Sequence, residues 1–151
     1  MSVERTESSQ RGAAMVEAAL TMLTLLVLIF AIFEAGRLLN IQQTLTNAAR
    51  EGARLSVLPA AASGSPPVSS DTLPSTSVVQ ARVQSFLNAS GLNGSTATIA
   101  VDQAYTPVVG STVYSRVTVT VPYRVLTISM FGMLEVNLQG QAMMRNETNL
   151  K

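Results

Sequence analysis

The stretch AAMVEAALTMLTLLVLIFAIF, residues 13–33, decides how the rest of the chain is read. Its one charge is Glu17. As a helix it rises roughly 31 Å, matching the ~30 Å hydrocarbon core of a bilayer. A carboxylate in such a helix costs ~2.5–3.5 kcal/mol at the bilayer centre and less near an end, where Glu17 lies. The stretch reads as a transmembrane helix over 13–36, and Glu17 asks for a partner.

Composition supports a chain with a lipid-facing part. The charged fraction is 13% of 151 residues, about half that of an ordinary soluble domain, and mean hydropathy is +0.31. The net charge of +1, with scattered arginines and no basic run, gives no reason to expect nucleic acid. With no cysteine and no histidine, the chain lacks the usual thiolate nucleophile, the commonest general base and the commonest metal ligands. Its one lysine is the terminal Lys151, so a Ser–Lys dyad is disfavoured as well. Asp71, Asp102 and Glu135 are isolated in sequence, without an activating neighbour. No enzyme, no cofactor and no metal site are expected.

Outward from the apolar stretch, residues 1–12 (MSVERTESSQRG) are polar and form a cytoplasmic tail or a leader removed before the helix. A secretory signal peptide is disfavoured, because AIFEAGR (31–37) offers no A-x-A site after the apolar run. Arg5 and Arg11 on one side nearly balance Arg37, Arg50 and Arg54 on the other, so charge does not set orientation.

On the C-terminal side, residues 37–58 continue the helix as an amphipathic one. Leu38, Ile41, Leu45, Ala48, Ala49 and Gly52 share a face opposite Asn40, Gln43, Asn47, Arg50, Glu51 and Arg54. Glu34 with Arg37, and Glu51 with Arg54, stand at the spacing of exposed i,i+3 pairs. Leu45, Ala48, Ala49 and Gly52 are the residues expected to pack the helix on a sheet, the small ones allowing close approach. The expected helix is about 40 residues long and ends before Pro59.

Residues 59–76 are a Pro/Ser-rich loop, and 77–151 form an α+β part. A short helix capped by Ser75, Thr76 or Ser77 carries Val79, Val83, Phe86 and Leu87 on one face and ends within 88–94. Strand patterns cover 96–105, 113–125 and a last run from Leu134. In the second, Val117, Val119, Val121, Tyr123 and Val125 point one way, and Pro122, on the other face, marks an edge or bulge. Short links, including 126–133, favour an antiparallel meander of three or four strands. Its apolar face needs a cover, which the amphipathic half of the long helix supplies. The fold class is α+β.

This expected architecture resembles that of type IV pilin-like proteins. RGAAMVEAAL (11–20), LTNAAREGARL (45–55) and AMMRNE (142–147) narrow the match: together they resemble the TadE-like family, pilin-like or pseudopilin-like proteins of the tight-adherence (Flp) pilus system. The resemblance implies cleavage by a prepilin peptidase between Gly12 and Ala13, leaving Glu17 at mature position five. It implies a single-pass protein of the bacterial inner membrane, N-terminus cytoplasmic and C-terminal domain periplasmic. Implied partners are the lipid bilayer, other Tad/Flp subunits, the peptidase, and further copies met through the N-terminal helix. The new α-ammonium of one copy would then pair with Glu17 of a neighbour and set register between subunits. One position departs from the pattern: Ala18 stands where pilin-like relatives often have an aromatic residue. The alternative is an unprocessed single-pass protein with an exported interaction domain and no filament role.

Overall fold

A computed structural model describes residues 3–58, 73–108, 112–125 and 135–146, with side chains from Arg11 onward. Helix α1 spans Val3–Val57 and α2 spans Thr76–Ala89; a 3-10 turn at Gly94–Thr96 leads into β1 (Thr98–Tyr105), β2 (Tyr114–Arg124) and β3 (Glu135–Arg145). Most of the loop expected over 59–76, part of the turn after β1, the 126–133 connection and Asp71 lie outside the described residues.

The long helix is 55 residues rather than about 40, because it begins at Val3 and runs without a break through Gly12. The polar 1–12 segment holds no proline to stop a helix. From Met15 to Phe33 the large apolar side chains are 47–78% exposed, so this half of α1 packs on nothing among the described residues. The other half does. Leu45, Ala48, Ala49 and Ala53 are fully buried, together with Val79, Val83 and Leu87 of α2 and Val117 and Val119 of β2. Burying a valine or leucine is worth about 1.5–3 kcal/mol, so these contacts bind helix and sheet into one core.

The sheet is an antiparallel meander in the order β1-β2-β3. In β2, Ser115, Val117, Val119, Val121 and Tyr123 point inward and alternate with more exposed residues. Pro122 lies beyond Thr120, the last residue of β2 paired with β1, so the edge expected there is real. β1 carries an irregularity between Asp102 and Tyr105, opposite Ser115. Gln103 lies in that irregularity and donates to the Pro74 carbonyl at 2.9 Å.

Helix α2 is preceded by Ser75, whose hydroxyl bonds Ser77 rather than the helix backbone. It ends at Ala89, within the expected 88–94. The Leu92 amide donates to Leu87 O and the Gly91 amide to Asn88 O, with Gly91 at φ +79°. This reciprocal pair satisfies the terminal carbonyls, and the positive φ suits glycine.

Gly140 of β3 lies directly against the α1 backbone: a Cβ built there would sit 2.4 Å from the Leu45 carbonyl carbon and 2.6 Å from Thr46 N. Backbone cannot swing aside as a side chain can. Gly140→Ala should therefore destabilise the fold by about 1–3 kcal/mol, as overpacking does. Gly36→Ala, where the added methyl meets nothing within 4 Å, should be neutral or slightly stabilising. Thermal unfolding of the detergent-solubilised chain, followed by circular dichroism, compares the two.

Candidate functional site

Two regions of α1 hold the sequence-derived candidates. The first is the N-terminal block of Gly12, Ala13 and Glu17, all exposed on one unbroken helix. A Cβ at Gly12 would meet nothing within 4 Å. Glu17 accepts a bond from the Thr21 hydroxyl through its backbone carbonyl, at 2.9 Å. Among the described side chains, none forms a hydrogen bond or ion pair with its carboxylate.

The second region is the face carrying Leu45, Ala48, Ala49 and Gly52, all of them buried. Leu45 meets Gly140, and the Cα of Gly52 faces Val83 and Val117, where a Cβ would come within 2.6 and 3.2 Å of their methyls. At the far end of this face, the Ser56 hydroxyl donates to Ala53 O at 2.7 Å and lies 2.6 Å from the Ser115 hydroxyl. This buried pair was not visible in the sequence, where Ser115 interrupts a run of inward valines.

A third cluster joins the two halves of α1, and sequence reasoning missed it. The Tyr123 hydroxyl donates to Glu34 Oε1 at 2.5 Å, and the Arg37 guanidinium lies 5.4 Å from the centre of the Tyr123 ring. Glu34 and Arg37, expected to serve as an exposed ion pair, both engage a tyrosine that is 5% exposed. A signal was present: an inward tyrosine on an otherwise aliphatic strand face needs a partner for its hydroxyl. The other expected pair, Glu51–Arg54, spans 4.0 Å and is longer than the bond Glu51 forms with Arg82 of α2, at 3.0 Å.

Of the isolated acids, Asp102 pairs with Arg116 at 3.5 Å, and Arg116 also stacks over Tyr105 at 3.9 Å. Glu135 opens β3, directly across from Arg124. Among the described residues no group of three His, Cys, Asp or Glu could hold a metal ion.

α1 is long and apolar enough to cross a membrane, and its most hydropathic window is unburied. The glutamate lies inside that apolar half, and the small-residue face lies beyond it. Residues 12–54 match the family model described as TadE-like protein. The match covers both helical motifs almost entirely, so the resemblance holds on the glutamate block and the AAREGAR block alike. The AMMRNE motif lies outside the matched residues, at the end of β3. No curated protein and no solved structure matches the chain.

The Tyr123 hydroxyl titrates above the ordinary tyrosine value of 10.0. Burial is the main cause, followed by the hydrogen bond to Glu34; Arg37 pulls the other way. A folded-state value above the unfolded one gives stability that is present below pH ~10 and lost as pH climbs through the folded value. Tyr123→Phe should cost about 1–2 kcal/mol at neutral pH, by loss of a hydrogen bond to a charged group. The gap between wild type and variant should then narrow above pH ~10. Denaturant unfolding across pH checks both.

Proposed function

We propose that this chain is a non-catalytic, membrane-anchored component of Tad/Flp pilus assembly, cleaved after Gly12 by a prepilin peptidase. The observation that carries the reading is the TadE-like match over residues 12–54, on a helix whose matched part is at first apolar and unburied, then packed on a sheet. The helix crosses the inner membrane with its N-terminus in the cytoplasm and presents the α+β domain to the periplasm.

Cleavage needs an opened backbone at Gly12, and glycine lowers the cost of opening a helix by about 1 kcal/mol relative to alanine. The new α-ammonium at Ala13 lies four residues before Glu17, close to the membrane edge. Within one helix the two groups are about one turn apart, roughly 6 Å in rise. A neighbouring helix shifted by that amount brings its ammonium level with the first copy's carboxylate. Two charges that are each costly in lipid then become one pair, formed at a single stagger. Glu17 thereby sets the register between copies or with other Tad subunits.

A second reading is favoured by the unbroken course of α1 through Gly12 and by Ala18. In it the chain stays whole as a single-pass anchor whose exported domain binds partners.

The two readings part at the N-terminus. Protein recovered from membranes should begin at Ala13, and Gly12→Ala should retain residues 1–12. Glu17→Ala should still be cut yet lose pilus assembly. An intact N-terminus in a strain that makes normal pili would establish the second reading instead.

A further inference from the structure

We propose that the sheet end bearing Tyr123, Arg124 and Glu135 rests on the lipid headgroups beside α1, giving the domain a second contact with the bilayer surface. The proposal rests on reading 13–36 as the transmembrane helix, with 13–33 as its apolar run. Four contacts fix how β2 lies along α1. Ser115 meets Ser56, Val117 lies by Gly52, Gly140 (the β3 partner of Val119) meets Leu45, and Tyr123 meets Glu34. The strand thus runs antiparallel to the helix, from its C-terminal end back toward the apolar half. Helix residues 34–56 rise about 33 Å and strand residues 115–123 about 27 Å, so the two elements keep pace at a modest inclination.

Glu34 is the first charge after the apolar run, so the Tyr123 hydroxyl stands one residue above the expected edge of the hydrocarbon. The chain continues the same way through Arg124 and Val125, about 3.4 Å per residue. That carries the backbone about 7 Å further, level with the last apolar turn of α1. Arg124 is exposed there, and Arg37 lies at Tyr123 on the helix side. Arginine is a side chain expected at this depth, its apolar stem inward and its guanidinium on phosphates. The opposite end of the sheet, where Tyr114 pairs with Arg145, is about 34 Å away along the strands.

Because the chain has no cysteine, single-cysteine labelling reports one site at a time. Full-length Arg124→Cys, Asn137→Cys, Arg145→Cys and Ile29→Cys, each carrying a nitrobenzoxadiazole fluorophore, are placed in phosphatidylcholine–phosphatidylglycerol vesicles. Nitroxide lipids labelled at the headgroup or deep in the acyl chain serve as quenchers. The Arg124 and Asn137 labels should be quenched several-fold more by headgroup nitroxide than the Arg145 label. The Ile29 label should respond to the deep nitroxide. Equal quenching at both sheet ends, with Ile29 quenched from depth, overturns the proposal and leaves the span standing. Shielding of Arg124 and Asn137 from aqueous iodide without lipid quenching means protein covers this end, and also overturns it. An unquenched Ile29 label overturns the span and the proposal together.

Discussion

The backbone contact between Gly140 and Leu45 is the constraint on which the rest of the structure depends. With no side chain at Gly140, β3 lies against the turn of α1 that includes Leu45 and Thr46. Ala48, Ala49, Gly52 and Ala53 continue the small-residue face, so α1 stays low over the sheet along its whole covered length. Larger residues there would lift the helix and open voids among Val117, Val119 and Val83. The inner face of three strands cannot bury itself, and α2 covers only part of it. The domain therefore exists only with the C-terminal half of α1 in place.

That dependence gives one helix two surroundings. Its covered half ends near Leu38, which packs at the margin of the core, and its bare apolar half ends at Phe33. The changeover takes barely more than one turn, and Glu34 and Arg37 occupy it. Both reach Tyr123, so the point where α1 changes environment is also where the sheet is held to it. A pair of exposed charges would have left the angle between domain and helix loose. A tyrosine with a buried ring and a charged acceptor holds it, because breaking the bond gives up a hydrogen bond to a carboxylate.

Most of the fold could be read from residue patterning, for physical reasons. The period of two in β2 and the 3.6-residue period of 38–53 each leave one face that must be covered, and only one pairing of those faces is short and unknotted. The end of α2 was legible because Gly91 supplies the positive φ its termination uses. What escaped were contacts between side chains far apart in sequence. Tyr123 and Glu34 are 89 residues apart, and Ser56 and Ser115 are 59 apart. Each looks ordinary in its own segment, and nothing local names its partner. The start of α1 also escaped, since a polar segment with neither proline nor apolar period gives no sign of where a helix begins. At the candidate site, Leu45, Ala48, Ala49 and Gly52 could be picked out because small residues on a helical face invite close approach. Glu17 stood out as the one charge in the apolar run, whereas Gly12 and the roles given to both came only through the family pattern.

The placement of these features separates what would be processed from what is folded. Gly12 lies 22 residues before Glu34, about 33 Å along the helix, and Glu17 about 26 Å. Neither group shares a contact with the core, so losing the first 12 residues would leave the stability of the domain untouched. A cut after the apolar run, as a secretory signal would require, falls instead beside Glu34 and would sever the anchor at the tyrosine that holds the sheet. A chain whose core includes the far half of its long helix can tolerate trimming only at the near end. On the proposed reading, recognition between helices at Glu17 and contacts made by the domain are then two independent surfaces on one rigid rod. The outer face of the sheet can vary with its partners while the stagger between helices stays fixed.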